Sequence, residues 1–427
     1  PLRGTGTSRA ARNGRGMSGR MLDAGMTQPS GKVASPETPV RSSLTGVSTA
    51  HLVGICGAGM KALAELLAGR GLRVTGSDQQ PTAPLLAAMR RRGVRVHRGH
   101  AGTHVPPGTD VLIHSLAIGS ENAERRRAGM LGIPQWSYSE TIGRLMAERV
   151  GVSVAGTHGK STTTAMVASL LERSGRQPSV VVGAELIEQG ASGWAGAGEL
   201  FVAESCEYRR SFLDLAPRFA VILGIEADHF DCYASLGESQ QAFGEFSQRV
   251  DTAGVLLVPA DCPVTRAAVA PATAAVRTFG RRSQADWWAA DVRRTATGSR
   301  FRLFYRGGFL TEISLQVPGR HNVDNALAAA ALSLELGVDH RDVREGLHEF
   351  TGIRRRFQHV GSWRGVTVID DYAHHPAEIA AALRTAKGMR DKVVAVFQPH
   401  LYSRTQNFLK EFALALSAAD RVVVAAV

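Results

Sequence analysis

The residues with the plainest chemistry are Ala155–Gly156–Thr157–His158–Gly159–Lys160–Ser161–Thr162–Thr163–Thr164. An apolar run, Val150–Ala155, leads into them, and a helix-forming run follows. Glycines let backbone N–H groups approach phosphate oxygens, and a helix N-terminus adds partial positive charge. Lys160 is placed to neutralise β and γ phosphates, and the Ser161 hydroxyl to ligate Mg2+. The strict pattern GxxxxGK[ST] is not met, because Val154 stands where the first glycine belongs. The plain alternative is a glycine turn before a helix capped by hydroxyl residues.

A second glycine loop, Gly54–Ile55–Cys56–Gly57–Ala58–Gly59–Met60, reads GxxGxG rather than GxGxxG. Asp78 follows about 20 residues on, where an acid can meet a ribose. Such a loop suits any nucleotide diphosphate, or serves only as a turn. Acidic clusters occur at Glu204–Ser205–Cys206–Glu207 and Glu226–Ala227–Asp228–His229, each after a strand-like run. Both could converge on the phosphate loop from neighbouring strand ends, and one carboxylate per Mg2+ would suffice. The bland alternative is a solvated acidic loop. Asn322 and Asn325 share one helical face, spaced to meet an adenine edge, although Asn322 could simply cap the helix. The run Arg354–Arg355–Arg356 is either a phosphate clamp that closes with domain motion or solvated charge. Asp370–Asp371–Tyr372–Ala373–His374–His375–Pro376 and Phe397–Gln398–Pro399–His400–Leu401–Tyr402–Ser403–Arg404–Thr405 each separate a strand from a helix. Polar residues at consecutive strand ends line one crevice of a parallel sheet, and several titratable groups there argue for a site.

These clusters need strands that end together, and the chain's texture supplies them. From about residue 50 it alternates strand, glycine turn and helix, which implies an α/β fold with parallel sheets. His51–Ile55, Leu72–Thr75, Val111–Ile113, Val150–Ala155, Ala220–Leu223 and Val255–Val258 read as strands. Ala58–Ala68, Pro84–Arg92, Tyr138–Glu148, Val323–Leu336, Arg341–Glu349, Pro376–Thr385 and Gln406–Leu416 read as helices. The expected organisation is a disordered basic extension over 1–47, then domains over 48–149, 150–352 and 353–427. The last is expected to be incomplete.

Composition narrows the class. The chain has 427 residues, 44% of them hydrophobic and 21% charged, an ordinary globular balance of roughly three domains. No apolar run approaches the ~20 residues of a membrane helix, so membrane insertion is not expected. The basic N-terminus lacks the apolar stretch of a secretory signal. Four scattered cysteines, with no CxxC pair, fit a reducing cytoplasm. The net charge of +12 invites a nucleic-acid reading, but the basic N-terminal arm carries no aromatic for base stacking. Specific nucleic-acid binding is therefore not expected, and the charge favours anionic small ligands.

Six motifs in order, GTHGKSTTT (156–164), IEADH (225–229), GRHNVDNA (319–326), GIRRRF (352–357), DDYAHHP (370–376) and FQPHLYSRT (397–405), resemble the Mur ligase family. The likeness covers about residues 50–427 and is nearest to the alanine-adding members. It implies a Rossmann-like UDP-sugar domain, a central P-loop-type ATPase domain and a C-terminal Rossmann-like domain for the amino acid. The implied reaction is ATP-dependent amide formation between UDP-N-acetylmuramate and L-alanine through an acyl phosphate, in peptidoglycan precursor synthesis. It implies ATP and Mg2+ as cofactors, a cytoplasmic location, and a monomer or weak dimer. Residue by residue, Gly156–Ser161 and Thr162 would hold the ATP phosphates, with Lys160 central and Ser161 on Mg2+. Glu207 and His229 would serve a second Mg2+. Asn322 and Asn325 would contact adenine, and Arg355 the transferred phosphate. Asp371, Tyr372, His374, His400 and Arg404 would line the nucleotide and alanine side. Gly57, Ala58, Gly59, Met60, Asp78 and Asn122 would hold the UDP-sugar.

This chain departs from the family pattern in places. Cys206–Glu207–Tyr208–Arg209 stands where DESD is usual, Cys56 and Lys61 where Gly and Ser are common, and Leu401 where Arg is common. Lys61 would either add a pyrophosphate contact or be exposed. The rival expectations are a nucleotide-binding Mur-like pseudoenzyme, a murein peptide-recycling ligase, and a nicotinamide-dependent oxidoreductase built on the first glycine loop.

Overall fold

The computed structural model describes residues 44–228, 232–295, 297–400 and 402–426. The described residues belong to one compact unit. Most of the expected N-terminal extension lies outside them. Leu44, inside that span, differs from expectation: it is buried in the first core, and its N–H donates to Glu148 Oε1 at 2.9 Å.

The first lobe contains β1 (Thr49–Val53), α1 (Ala58–Gly69), β2 (Arg73–Asp78), α2 (Ala83–Arg91), β3 (Arg95–Arg98), β4 (Val111–His114), α3 (Ala123–Met130), β5 (Gln135–Ser137) and α4 (Tyr138–Ala147). Its all-parallel sheet runs β3-β2-β1-β4-β5. All of β1 is buried, as a central parallel strand covered on both faces must be. The order reverses beside β1, so the glycine loop after it opens into the crevice where such sheets bind ligands.

The second lobe begins with β6 (Val150–Ala155), α5 (Lys160–Arg173), β7 (Ser179–Leu186), β8 (Ala191–Trp194), β9 (Leu200–Glu204) and β10 (Phe219–Ile222). It continues through α6 (Leu236–Ser247), β11 (Val255–Pro259), α7 (Pro263–Ala268), β12 (Ala275–Gly280), β13 (Trp287–Arg294), β14 (Ser299–Tyr305) and β15 (Gly308–Leu315) to α8 (Arg320–Glu335) and α9 (His340–Glu349). The sheet runs β15-β14-β13-β12-β11-β10-β6-β9-β7-β8. Parallel β9 and β10 flank β6, pairing Val154 with Glu204 and Ala155 with Ile222. That register brings both acidic segments to the phosphate loop. The buried run Ala328–Ala331 of α8 carries no bulk, which lets α8 pack closely on α5 beneath the loop.

The third lobe has β16 (Gln358–Trp363) antiparallel to β17 (Val366–Asp370), then α10 (Pro376–Lys387), β18 (Val394–Phe397), α11 (Tyr402–Asn407), α12 (Leu409–Leu416) and β19 (Arg421–Val424), which runs parallel to β18. Its small core joins Ile379, Leu383, Phe397, Phe412 and Leu416, while Val394, Val396, Val423 and Val424 are exposed. The single helix expected over 406–416 is broken at Phe408. Among the described residues no helix is long and apolar enough to cross a membrane.

Candidate active site

The phosphate loop joins β6 to α5, and two of its glycines are required by geometry. Gly156 has φ +125°, and a Cβ there would lie 2.8 Å from the Leu223 amide nitrogen. Gly159 has φ +81° and would place a Cβ 2.4 Å from Asn325 Oδ1. Only glycine tolerates both the backbone and the approach. Thr157 ties the loop to the segment after β10, its N–H donating to the Gly224 carbonyl and its hydroxyl accepting from the Glu226 N–H, each at 2.9 Å.

Lys160 opens α5 with its ammonium folded back. It donates to the carbonyls of Gly156 and Thr157 and lies 2.9 Å from Glu207 Oε2. Burial would lower its pKa, but Glu207 outweighs burial and holds it above the usual lysine range. Ser161 Oγ donates to Glu204 Oε1 at 3.0 Å, and the other Glu204 oxygen accepts from the Gly183 N–H at 2.6 Å. A hydroxyl and two carboxylates thus stand around Lys160. This all-oxygen donor set suits a hard cation such as Mg2+. Among the described residues, no group of three or more His, Cys, Asp or Glu side chains is arranged to hold a metal. His229, expected to be a ligand, lies outside the described residues.

The loop forms one wall of a cavity of about 430 Å³. Thr157–Thr162, Glu204, Asn322, Asn325, Arg356, Asp371 and His374 all line it. Asn325 donates through Nδ2 to Asn322 Oδ1 at 3.2 Å, and Asn322 Nδ2 donates to the Pro318 carbonyl at 2.7 Å. The two asparagines therefore pair with each other at the cavity wall. Asp371 accepts from the Phe357 and Ala373 N–H groups, and burial pushes its pKa up.

Arg356, and not Arg355, lines the cavity. Arg355 adopts φ +59°, which turns its side chain outward, 59% exposed, over the Tyr372 ring at 4.6 Å. Three consecutive arginines cannot all face one way, and only the backbone turn selects among them.

The third lobe brings Tyr372, His374 and His400 together. Tyr372 Oη lies 3.1 Å from His400 Nε2, and the His374 and His400 ring centroids are 5.6 Å apart. Burial lowers the pKa of both histidines. Arg404 leaves this cluster to make a bidentate pair with Asp228 of the second lobe, at 2.9 and 3.1 Å to Oδ1. Both partners are buried, with side chains 6% and 9% exposed.

In the first lobe, Gly57, Ala58 and Gly59 lead into α1, while the Met60 side chain is buried in the core and leaves only main-chain groups for a ligand. Asp78 accepts from the Cys56 N–H at 2.9 Å and so holds the loop itself. Burial, with Asp78 beside it, pushes the Cys56 thiol up to about 12. The Asn122 side-chain oxygen caps α3, accepting from the N–H groups of Glu124 and Arg125. Lys61 is neither exposed nor free for a pyrophosphate: it pairs with Glu65 and Glu185 and donates to Ser192.

Sequence reasoning missed one buried carboxylate, Glu124, and one half-buried carboxylate, Glu378. Glu124 accepts from Ser77, from the Ala101 N–H and from histidines His51 and His104. Glu378, in the first turn of α10, contacts His158, Arg356 and His374. A first-turn glutamate has an ordinary local reason to exist, namely the helix dipole, so nothing in the string marks Glu378 out.

Comparison with known proteins follows the same division. Residues 49–150 match the Mur ligase family, catalytic domain; residues 154–333 match the Mur ligase middle domain; residues 355–426 match the Mur ligase, glutamate ligase domain. A UDP-N-acetylmuramate–L-alanine ligase of Salinibacter ruber is 43% identical over 91% of this chain and 82% of its own length. The chain belongs to the Mur ligase family. Another Mur ligase of that name, from Acidothermus cellulolyticus, is 42% identical over 88% of this chain and 79% of its own. The crystal structure of a UDP-N-acetylmuramate–alanine ligase from Thermotoga maritima superposes with a TM-score of 0.78 at 32% identity, over 89% of this chain and 85% of that one. A murein peptide ligase from Psychrobacter arcticus shares the fold, with a TM-score of 0.73 at 24% identity over 89% and 91% of the two chains.

Proposed function

We propose that this Mur ligase joins L-alanine to the carboxylate of UDP-N-acetylmuramate at the expense of ATP, a step of peptidoglycan precursor synthesis. The observation that carries the reading is a glycine-built phosphate loop facing a cavity closed by the third lobe, in a chain 43% identical to a relative of that name. The glycine loop after β1, held by Asp78, is the place for the UDP-sugar, and Asn322 and Asn325 for adenine. Ser161, Glu204 and Glu207 would hold Mg2+, which supplies charge neutralisation at the transferred phosphate when bound. We also propose domains close to 48–149, 150–352 and 353–427, a monomer or weak dimer, and a cytoplasmic location.

Amide formation from a carboxylate needs a better leaving group than oxide. The substrate carboxylate attacks the γ-phosphorus of ATP, releasing ADP and giving an acyl phosphate. The alanine amine then attacks the acyl carbon and expels phosphate. This chemistry asks for alignment and charge stabilisation rather than a protein nucleophile. Lys160 and the amides at the α5 N-terminus supply a fixed positive field. Arg356 adds charge from the linker. His374 shares Nδ1 with the Tyr372 carbonyl at 2.7 Å, leaving Nε2 as the ring's remaining proton acceptor. Its lowered pKa keeps it neutral at pH 7, fit to take a proton from the alanine ammonium.

The test is phosphate release from ATP and Mg2+ with UDP-N-acetylmuramate, with and without L-alanine, and the mass of the product. Release that requires both substrates, with an alanine-extended product, supports the reading. A product extended by a preformed peptide but not by alanine would favour a recycling ligase. Nucleotide binding without release would favour a pseudoenzyme.

A further inference from the structure

Glu378 reaches the phosphate loop, the linker and the third lobe at once. Its side chain is 17% exposed. Oε1 lies 3.3 Å from His158 Nδ1 of the phosphate loop and 3.7 Å from Arg356 of the linker. Oε2 lies 3.4 Å from His374 Nδ1 and accepts from the His374 N–H at 3.0 Å. One carboxylate therefore joins the second lobe, the linker and the third lobe, and all four residues line the same cavity.

A glutamate present only to satisfy its helix dipole would need none of these distant partners. Two cations side by side at a cavity wall repel each other unless an anion stands between them, and Glu378 is that anion. The charged and titratable groups facing His158 are Glu226 after β10, at 3.5 Å, with Glu378 and the His375 ring at the start of α10. Burial would lower the His158 pKa, but the two carboxylates raise it to about 9, so the loop carries a cation at neutral pH. The same cations hold the Glu378 carboxyl well below the usual range against the effect of burial.

We propose that Glu378 is a positioning residue of the phosphate site. By holding His158 and Arg356 it presets both cations at the cavity wall that receives the nucleotide phosphates, and it docks the third lobe on the phosphate loop. Cations fixed before the ligand arrives cost no reorganisation when charge develops. The inference rests on reading the loop as the ATP site, and its test is separable from the ligase assignment.

Glu378→Gln, Glu378→Asp and the unaltered full chain would be compared in three measurements. The first is the His158 imidazole titration by NMR on ¹³C-labelled histidine, with His158→Gln for assignment. The second is the affinity for the non-hydrolysable analogue AMP-PNP with Mg2+ at pH 6.0 and 8.5. The third is steady-state kcat and KM. In Glu378→Gln the His158 pKa should fall by at least about one unit, a tenfold change in protonation. AMP-PNP affinity should drop at least about threefold at pH 8.5, the loss of protonated His158 for a one-unit fall from about 9, but little at pH 6.0, where His158 is charged in both proteins. The KM for UDP-N-acetylmuramate should stay within about twofold, and Glu378→Asp should recover part of each loss. An unchanged His158 titration, or a loss of nucleotide affinity equal at both pH values, overturns the proposal. So does a parallel loss of UDP-sugar and nucleotide binding, which marks a general structural role. Failure of the ligase reading would show instead as absent turnover in the unaltered chain, with the titration and nucleotide affinities still interpretable.

Discussion

Replacing Lys160 should damage stability and turnover through separate causes, and the two can be pulled apart. The Lys160 ammonium lies 2.9 Å from a Glu207 carboxylate whose side chain is 3% exposed, and is itself 12% exposed. Lys160→Met removes the cation and leaves the buried carboxylate behind, which costs about 3–5 kcal/mol. For a lobe of this size that is a fall in melting temperature of roughly 10 °C. Lys160→Met with Glu207→Gln removes both charges, so most of that loss should return. Turnover should not return, because phosphate stabilisation by the ammonium is worth roughly 10²–10³ in rate. The assay pairs thermal unfolding with phosphate release at saturating substrates. A double variant that melts no higher than the single one would refute the buried-pair argument. A single variant with a rate within tenfold of the unaltered chain would refute the phosphate assignment.

Asp78→Ala should raise the KM for the UDP-sugar about tenfold and leave that for ATP alone, because it releases the Cys56 N–H that shapes the first glycine loop; initial rates against each substrate check this. Arg404→Lys breaks the bidentate fork on buried Asp228, and should loosen the third lobe and raise the alanine KM several-fold with little effect on nucleotide affinity, measurable by calorimetry with AMP-PNP. Burial would raise the Glu124 pKa, but hydrogen bonds from His51 and Ser77 bring it down to about 2. A depressed carboxyl stabilises the fold above its unfolded pKa, and that contribution is lost as pH falls toward 2. Glu124→Gln should therefore cost about 3 kcal/mol at pH 7 and much less at pH 3, seen in melting at the two pH values.

Much of this protein was legible in the string because its signals are local. The glycines and Lys160 of the phosphate loop, and the strand that delivers them, need only a few adjacent residues to be recognised. The central strands β6, β10 and β11 read as buried because parallel strands covered on both faces must be apolar throughout. Other elements, among them α3, α6, β8, β12 and β16, were not picked out, since their short or mixed patterns depend on a neighbour for stability.

Tertiary structure alone decided the charge pairing. Which arginine of Arg354–Arg356 meets the cavity depends on a left-handed backbone at Arg355. The partners of Glu378, Asp228 and Lys61 lie across lobe boundaries, and those of Glu124 on other elements of its own lobe, distant in sequence. Electrostatic contacts act through space and carry no sequence period, whereas glycine turns and apolar runs act along the chain. That difference is why the phosphate loop could be read from its own residues, and why the carboxylates that hold its surroundings could not.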